Sequence, residues 1–107
     1  ALVKERFSLK MVKTSAPVGC KISRIAMCGG SGSSLIESAR RSKAQLYISG
    51  DISYHHFFTP EGFMIMDIGH YESEVCTKDI FYNIISKKFP TFAVHFSNVN
   101  SNPVKYL

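Results

Sequence analysis

The sequence predicts an α/β fold, a three-layer α/β/α arrangement around a mostly parallel or mixed sheet. Two observations carry that expectation. Strand-like apolar runs alternate with helical patterns four times along the chain, the order that builds parallel sheets through right-handed crossovers. Three of the strands also end alike, in Cys28-Gly29-Gly30, Ser49-Gly50-Asp51 and Ile68-Gly69-His70, each with a glycine at the turn and a polar group beside it. In a parallel sheet all such ends lie on one edge, where ligands bind.

The elements follow in order. Residues 1–11 read as a helix, with Leu2, Val3, Phe7 and Met11 near helical spacing. Thr14 to Gly19 is rich in turn formers and reads as a loop. Ile22 to Cys28 suits a strand running into Gly29-Gly30-Ser31-Gly32-Ser33-Ser34, and a helix begins at Leu35 and ends between Arg40 and Lys43. Gln45 to Ser49 is the next strand. Tyr54 to Phe58 suits a short helix closed by Pro60 and Gly62. The strand 63–68 leads into a helix of about 70–88, whose apolar face is Val75, Ile80, Phe81, Ile84 and Ile85. Thr91 to Phe96 is a last strand before a polar tail.

Length and composition bound the rest. A chain of 107 residues, 45% hydrophobic, is expected to form one compact α/β domain over residues 1–107. No apolar run approaches the roughly 20 residues of a membrane span, and no leader with a cleavage site is visible. The chain begins at Ala1 inside a helical pattern, which suggests a fragment. Three cysteines, Cys20, Cys28 and Cys76, are odd in number and form no C-x-x-C pair. They read as reduced thiols in a cytoplasmic protein, not as a disulfide framework or zinc knuckle. The net charge is +5, with Lys4, Arg6, Lys10, Lys13, Lys21 and Arg24 crowded near the start. Without interleaved aromatic residues, that crowding reads as a solvated face or a docking surface before it reads as a nucleic-acid interface.

The most informative run is Asp67-Ile68-Gly69-His70-Tyr71-Glu72-Ser73-Glu74. On a helix, positions 70 and 74 point the same way one turn apart, so His70 and Glu74 converge where a parallel strand meets its helix. An imidazole with a carboxylate makes half of a transition-metal or magnesium-class site. Glu72 falls on the opposite side of the turn. The alternative is a helix-end carboxylate beside a surface histidine. The glycine loop 29–34 offers hydroxyls and amides to a phosphate, although it lacks the Lys-Ser/Thr ending of a P-loop, and it reads equally as a capped turn. Asp51 and His55 are further pocket candidates, while adjacent His55 and His56 diverge too far to share one ion. His95 reads as a sheet-face residue.

Three blocks, residues 26–36, 47–55 and 67–74, resemble in order and spacing the C-terminal half of the GTP cyclohydrolase I type 2 homologues, the Nif-three-like family. The closing Asn102-Pro103-Val104-Lys105-Tyr106 is similar to the tail of its bacterial members. The resemblance implies two α/β halves facing each other across a dinuclear metal site. The family's Gly-His-x-x-x-Glu motif maps metal binding onto His70 and Glu74, and His55 matches a histidine of the family; Asp51, His55, Gly30, Ser31 and Asp67 are expected to take substrate or supporting roles in the pocket. The resemblance also implies two divalent ions per complete site (zinc, iron, manganese or magnesium), an N-terminal half supplying the remaining ligands, and a hexameric ring. His56 stands where the family commonly has an acidic residue. The expected function is a metal-dependent hydrolase acting on a nucleotide-like or phosphate-bearing substrate, this chain alone being inactive. The alternative is a non-enzymatic metal-binding protein whose ions organise an oligomer. Phe57, Phe58, Phe63 and Met64 suggest self-association of the fragment.

Overall fold

The structure, a computed structural model, describes residues 1–107. Its elements are α1 (Leu2–Arg6), β1 (Lys13–Thr14), β2 (Ile25–Ser31), a 3-10 turn (Ser33–Leu35) leading into α2 (Ile36–Arg41), and β3 (Leu46–Gly50). A second 3-10 turn (Tyr54–Phe57), β4 (Met64–Asp67), α3 (His70–Glu74) and α4 (Thr77–Lys88) complete them. The sheet order is β1-β4-β3-β2, with β2, β3 and β4 parallel and β1 antiparallel to β4. The architecture is therefore a mixed-sheet α/β fold, as the alternation predicts.

Strand alternation sorts the core into two clusters, one on each side of the sheet. Leu46, Ile48 and Met64 pack with Leu9 and Ile68, and Val3, Phe7 and Val12 of the N-terminal segment cover them. Tyr47, Ile65 and Phe63 pack with Ala39 and Ile52, covered by Ile36 of α2 and Phe57. The three layers meet on β3, every residue of which is buried.

Four boundaries differ from the expectations. The first helix stops at Arg6 because Ser8 turns left-handed (φ 54°), with the Ser8 amide on the Glu5 carbonyl and the Leu9 amide on the Lys4 carbonyl. This Schellman-type end swings Leu9 into the core. The loop at 14–19 contains a strand residue at its start, since Lys13 and Thr14 pair with Asp67 and Met66. Ser15 extends the contact, its hydroxyl accepting the Ile65 amide at 2.8 Å. The helix of 70–88 is divided at Val75 and Cys76, which keep helical torsions. The strand expected at 91–96 does not form: that segment pairs with no strand, and its rings pack locally, Phe92 on Phe89 and Phe96 on Tyr82.

Helix α4 projects from this body with no buried residue. The radius of gyration is 16.2 Å, against about 13 Å for a compact chain of this length.

Candidate functional site at the carboxyl edge of the sheet

The site is built by an irregularity in β2. Met27 pairs with Ile48 and Ser31 with Gly50, so four steps of β2 oppose two of β3 and the segment Cys28-Gly29-Gly30 bulges from the sheet. The Ser49 hydroxyl fills the bulge, donating to the Cys28 carbonyl at 2.8 Å and the Gly30 carbonyl at 3.2 Å. The buried Tyr47 hydroxyl donates to the Gly32 carbonyl at 2.7 Å, and burial pushes its pKa above the ordinary phenol value. The bulge lets α3 sit against β2. At Gly30 (φ +69°) a Cβ atom would meet Glu74 Oε1 at 2.5 Å and His70 Nε2 at 3.3 Å, so a side chain there would displace the very groups that face it.

Two of the loop's glycine amides are committed to the protein. Gly30 N–H donates to Ser73 Oγ at 2.7 Å, and Gly32 N–H to the Gly50 carbonyl at 3.3 Å. Ser73 in turn donates to the His70 carbonyl at 2.7 Å. The loop docks α3, its glycines making room for His70 and Glu74, as the turn reading of residues 29–34 has it, and two of the amides an anion would use are already paired. Ser31 closes β2 opposite Gly50, exposed and outside the cleft described below.

Three side chains meet beside the bulge. Asp51 Oδ2 lies 2.6 Å from His70 Nδ1, and Glu74 Oε2 lies 3.2 Å from His70 Nε2. Asp51 reaches His70 from a left-handed turn (φ 52°) just after β3, a conformation that aspartate tolerates better than most residues. The hydrogen bond that His70 Nδ1–H donates to the Asp51 carboxylate, reinforced by the Glu74 charge, raises the His70 pKa above its ordinary value. His70 is half exposed, so this is a solvent-facing arrangement.

Asp67 acts beneath it. It is buried, and its two oxygens accept the Ile52 amide at 3.1 Å and the Gly69 amide at 2.9 Å. Lys13 Nζ from β1 lies 2.8 Å from Oδ2. One carboxylate thus ties the turn carrying Asp51 to the turn carrying His70. Lys13 is a contributor that sequence reasoning missed, because nothing local marks a two-residue edge strand.

Asp51, His70, Glu74 and Asp67 all line one cleft of about 790 Å³, which also takes in Tyr71, Val75 and the tail residues near Tyr106. His55 is not brought to it. His55 and His56 lie with Ser33, Arg40 and Phe58 in a separate depression of about 260 Å³, and Tyr54 packs edge-on against the His55 ring. No three histidine, cysteine or carboxylate side chains of this chain surround a single point.

The comparisons with known proteins agree on one lineage. The sequence model of the Duf34/NIF3 (NGG1p interacting factor 3) family matches residues 1–103. The chain belongs to this family. It is 37% identical over 89 residues to the GTP cyclohydrolase 1 type 2 homolog of Lactococcus lactis, across 78% of this chain and 33% of that protein. To the Bacillus subtilis protein of the same name it is 26% identical, across 98% of this chain and 30% of its relative. The crystal structure of Staphylococcus aureus protein SA1388 superposes with a TM-score of 0.79 at 27% identity, covering 98% of this chain and 36% of that one. A Bacillus cereus protein related to NIF3 shares the fold, with a TM-score of 0.76 at 24% identity over 98% of this chain and 30% of that one. The chain therefore spans about a third of the length of the curated relatives it matches.

Proposed function

We propose that this chain supplies one face of a two-metal hydrolytic centre in a larger protein, with His70 and Glu74 as its metal ligands and Asp51 as the residue that orients His70. One observation carries the reading: His70 Nδ1 is paired with the Asp51 carboxylate, which leaves Nε2 as the ring nitrogen set beside Glu74, the second candidate ligand, next to Gly30. Metal-binding histidines commonly donate their other ring N–H to a carboxylate, which fixes the tautomer and strengthens the ligand. The imidazole–carboxylate donor set suits zinc, iron or manganese better than magnesium.

The remaining ligands would come from the part of the protein outside this chain, since two donors hold an ion weakly. When bound, paired divalent ions supply a water nucleophile at neutral pH and neutralise developing negative charge. This chain's own contribution is positional. Asp67 holds both turns, Asp51 holds the imidazole plane, and Gly30 keeps the space in front of Nε2 clear. The substrate would be a hydrolysable, phosphate-bearing molecule, and association of copies into a closed oligomer belongs to the same reading.

The test uses the complete protein. Metal content is measured by mass spectrometry and hydrolysis is screened over phosphate esters, for wild type and His70→Ala. The expected result is stoichiometric divalent metal and metal-dependent turnover, both lost in the variant. Bound metal without turnover, with assembly that depends on it, would establish the non-enzymatic alternative. Wild-type protein that takes up no divalent ion would sink both.

A further inference from the structure

After α4 the chain runs without regular structure, yet it is fastened at two points. The Phe96 ring stacks on Tyr82 of α4 with centroids 4.7 Å apart. Ten residues later, the Tyr106 hydroxyl donates to Glu72 Oε1 at 2.9 Å, on the side of α3 away from the His70–Glu74 pair. Between these anchors the bends are held by asparagine: Asn100 Oδ1 accepts the Asn102 amide at 3.0 Å, and Asn102 Oδ1 accepts the Val104 amide at 3.1 Å. The strap so formed lines the 790 Å³ cleft together with Tyr71 and Val75. Its composition is polar except for Val99, Pro103, Val104 and Tyr106, and these all line the cleft. Val99 is 80% and Val104 52% exposed, although both flank a cavity of the size that holds a small molecule.

We propose that residues 97–106 form the selectivity wall of this cleft, and that its ligand is an organic anion whose apolar body lies on Val99, Val104 and the Tyr106 ring while its anionic group lies at the His70–Glu74 end. The sign of the ligand's charge rests on the metal-centre reading above. Four carboxylates (Asp51, Asp67, Glu72 and Glu74) line the cleft against only two lysines, Lys13 and Lys78, so its formal charge is negative until divalent ions reverse it. The apolar half of the proposal rests on the strap alone. Tyr106 is a positioning residue: its hydroxyl anchors the strap on Glu72, and its ring forms part of the wall.

Two probes separate these contributions. In the complete protein reconstituted with zinc, binding of 1-naphthylmethylphosphonate is compared with that of methylphosphonate by titration calorimetry. The head groups match, and only the first has an apolar body. Wild type is expected to bind the naphthyl probe about tenfold tighter or more, the worth of roughly 60 Å² of buried apolar surface. The double variant Val99→Asn/Val104→Asn changes only exposed side chains and should bring the ratio to about threefold or less, without altering zinc content. Tyr106→Phe keeps the ring and loses the anchor, and should give an intermediate ratio. Equal affinities in zinc-loaded wild type, or an undiminished ratio in the double variant, overturn the proposal. Zinc uptake measured on the same samples separates the two failures: no uptake removes the metal reading and with it the anionic end, whereas full uptake without a naphthyl preference removes the selectivity wall alone.

Discussion

Strand β3 and helix α4 are opposites within one short chain. Every residue of β3 is buried, and its side chains feed both core clusters. No residue of α4 is buried, although Ile80, Phe81, Ile84 and Ile85 recur at helical spacing and are 40–59% exposed. The contrast shows which geometry this chain determines by itself. The turns that present Asp51 and His70 grow directly out of β3 and β4 and are tied together by buried Asp67. They inherit the rigidity of the core. Helix α4 has an amphipathic pattern whose apolar residues stay exposed in this chain. The chain holds the position of its candidate ligands firmly while leaving the apolar residues of α4 exposed.

The largest effect should come from the packed side of this comparison. Ile65 is fully buried at the centre of β4, in contact with the cluster under α2. Ile65→Ala removes three carbon atoms from a site that has little freedom to collapse. The expected loss in the complete protein is about 2–5 kcal/mol, read as a lower urea midpoint at unchanged slope. A loss below about 1 kcal/mol would mean that the sheet centre is not the stable part of the molecule.

An intermediate effect tests whether the core's rigidity reaches the candidate ligands. Asp51→Asn should leave the fold intact and weaken metal binding in the complete protein about 10–100-fold, since the carboxylate that orients His70 is lost. Its pH signature has a definite sign. Asp51 raises the His70 pKa, and an imidazole protonated on both nitrogens has no lone pair for a metal. Metal uptake should fall as pH is lowered, and the fall should begin at higher pH in wild type than in Asp51→Asn. In metal-free protein the same raised pKa works the other way. The charged imidazole's contribution to stability is fully present below the unfolded-state value near 6.5 and disappears as pH rises through the raised folded value. Titrations of the two forms that run in the same direction would show that His70 is not the group being read.

Much of this was legible in the sequence, for identifiable reasons. The parallel strands and the convergence of Gly30, Asp51 and His70 at one edge follow from glycine turns and strand–helix alternation, which are local signals. The pairing of Asp51 with His70 is not local. It depends on β3 lying beside β4 and on the left-handed turn at Asp51, so the sequence offered both residues without the bond between them. The glycine loop has a composition that suits an anion cradle and a tight turn alike, and the sequence could not show that a strand bulge plugged by Ser49 takes up the Cys28 and Gly30 carbonyls and, through Ser73, the Gly30 amide. His55 lies near Asp51 in sequence, but the 3-10 turn at Tyr54–Phe57 carries it to the depression beside α2. The run 91–96 has strand composition without a strand beside it, and β-propensity describes fit to a sheet more than a backbone preference.

The smallest effect comes from the bare side of the comparison and is the most informative about what lies beyond this chain. Ile84 sits in the middle of α4 and is 57% exposed. Judged on this chain alone, Ile84→Ala should change stability by no more than about 0.5 kcal/mol, because a surface substitution that touches no cap, cavity or hydrogen bond rarely does more. Alanine's helix propensity would even favour the variant slightly. Any larger cost must therefore come from contacts made with the rest of the polypeptide or with another copy. We expect a cost of about 1–2 kcal/mol in the complete protein, the worth of covering the remaining apolar surface of one isoleucine. Lys87→Ala, further along the same exposed helix and without an apolar side chain to cover, serves as the control and should remain near zero. If Ile84→Ala also stays near zero, the α4 face is solvent-exposed in the complete protein too, and the contrast with β3 is a permanent feature of the fold. If its cost varies with protein concentration, the cover is a second copy; if it does not, the cover belongs to the same polypeptide.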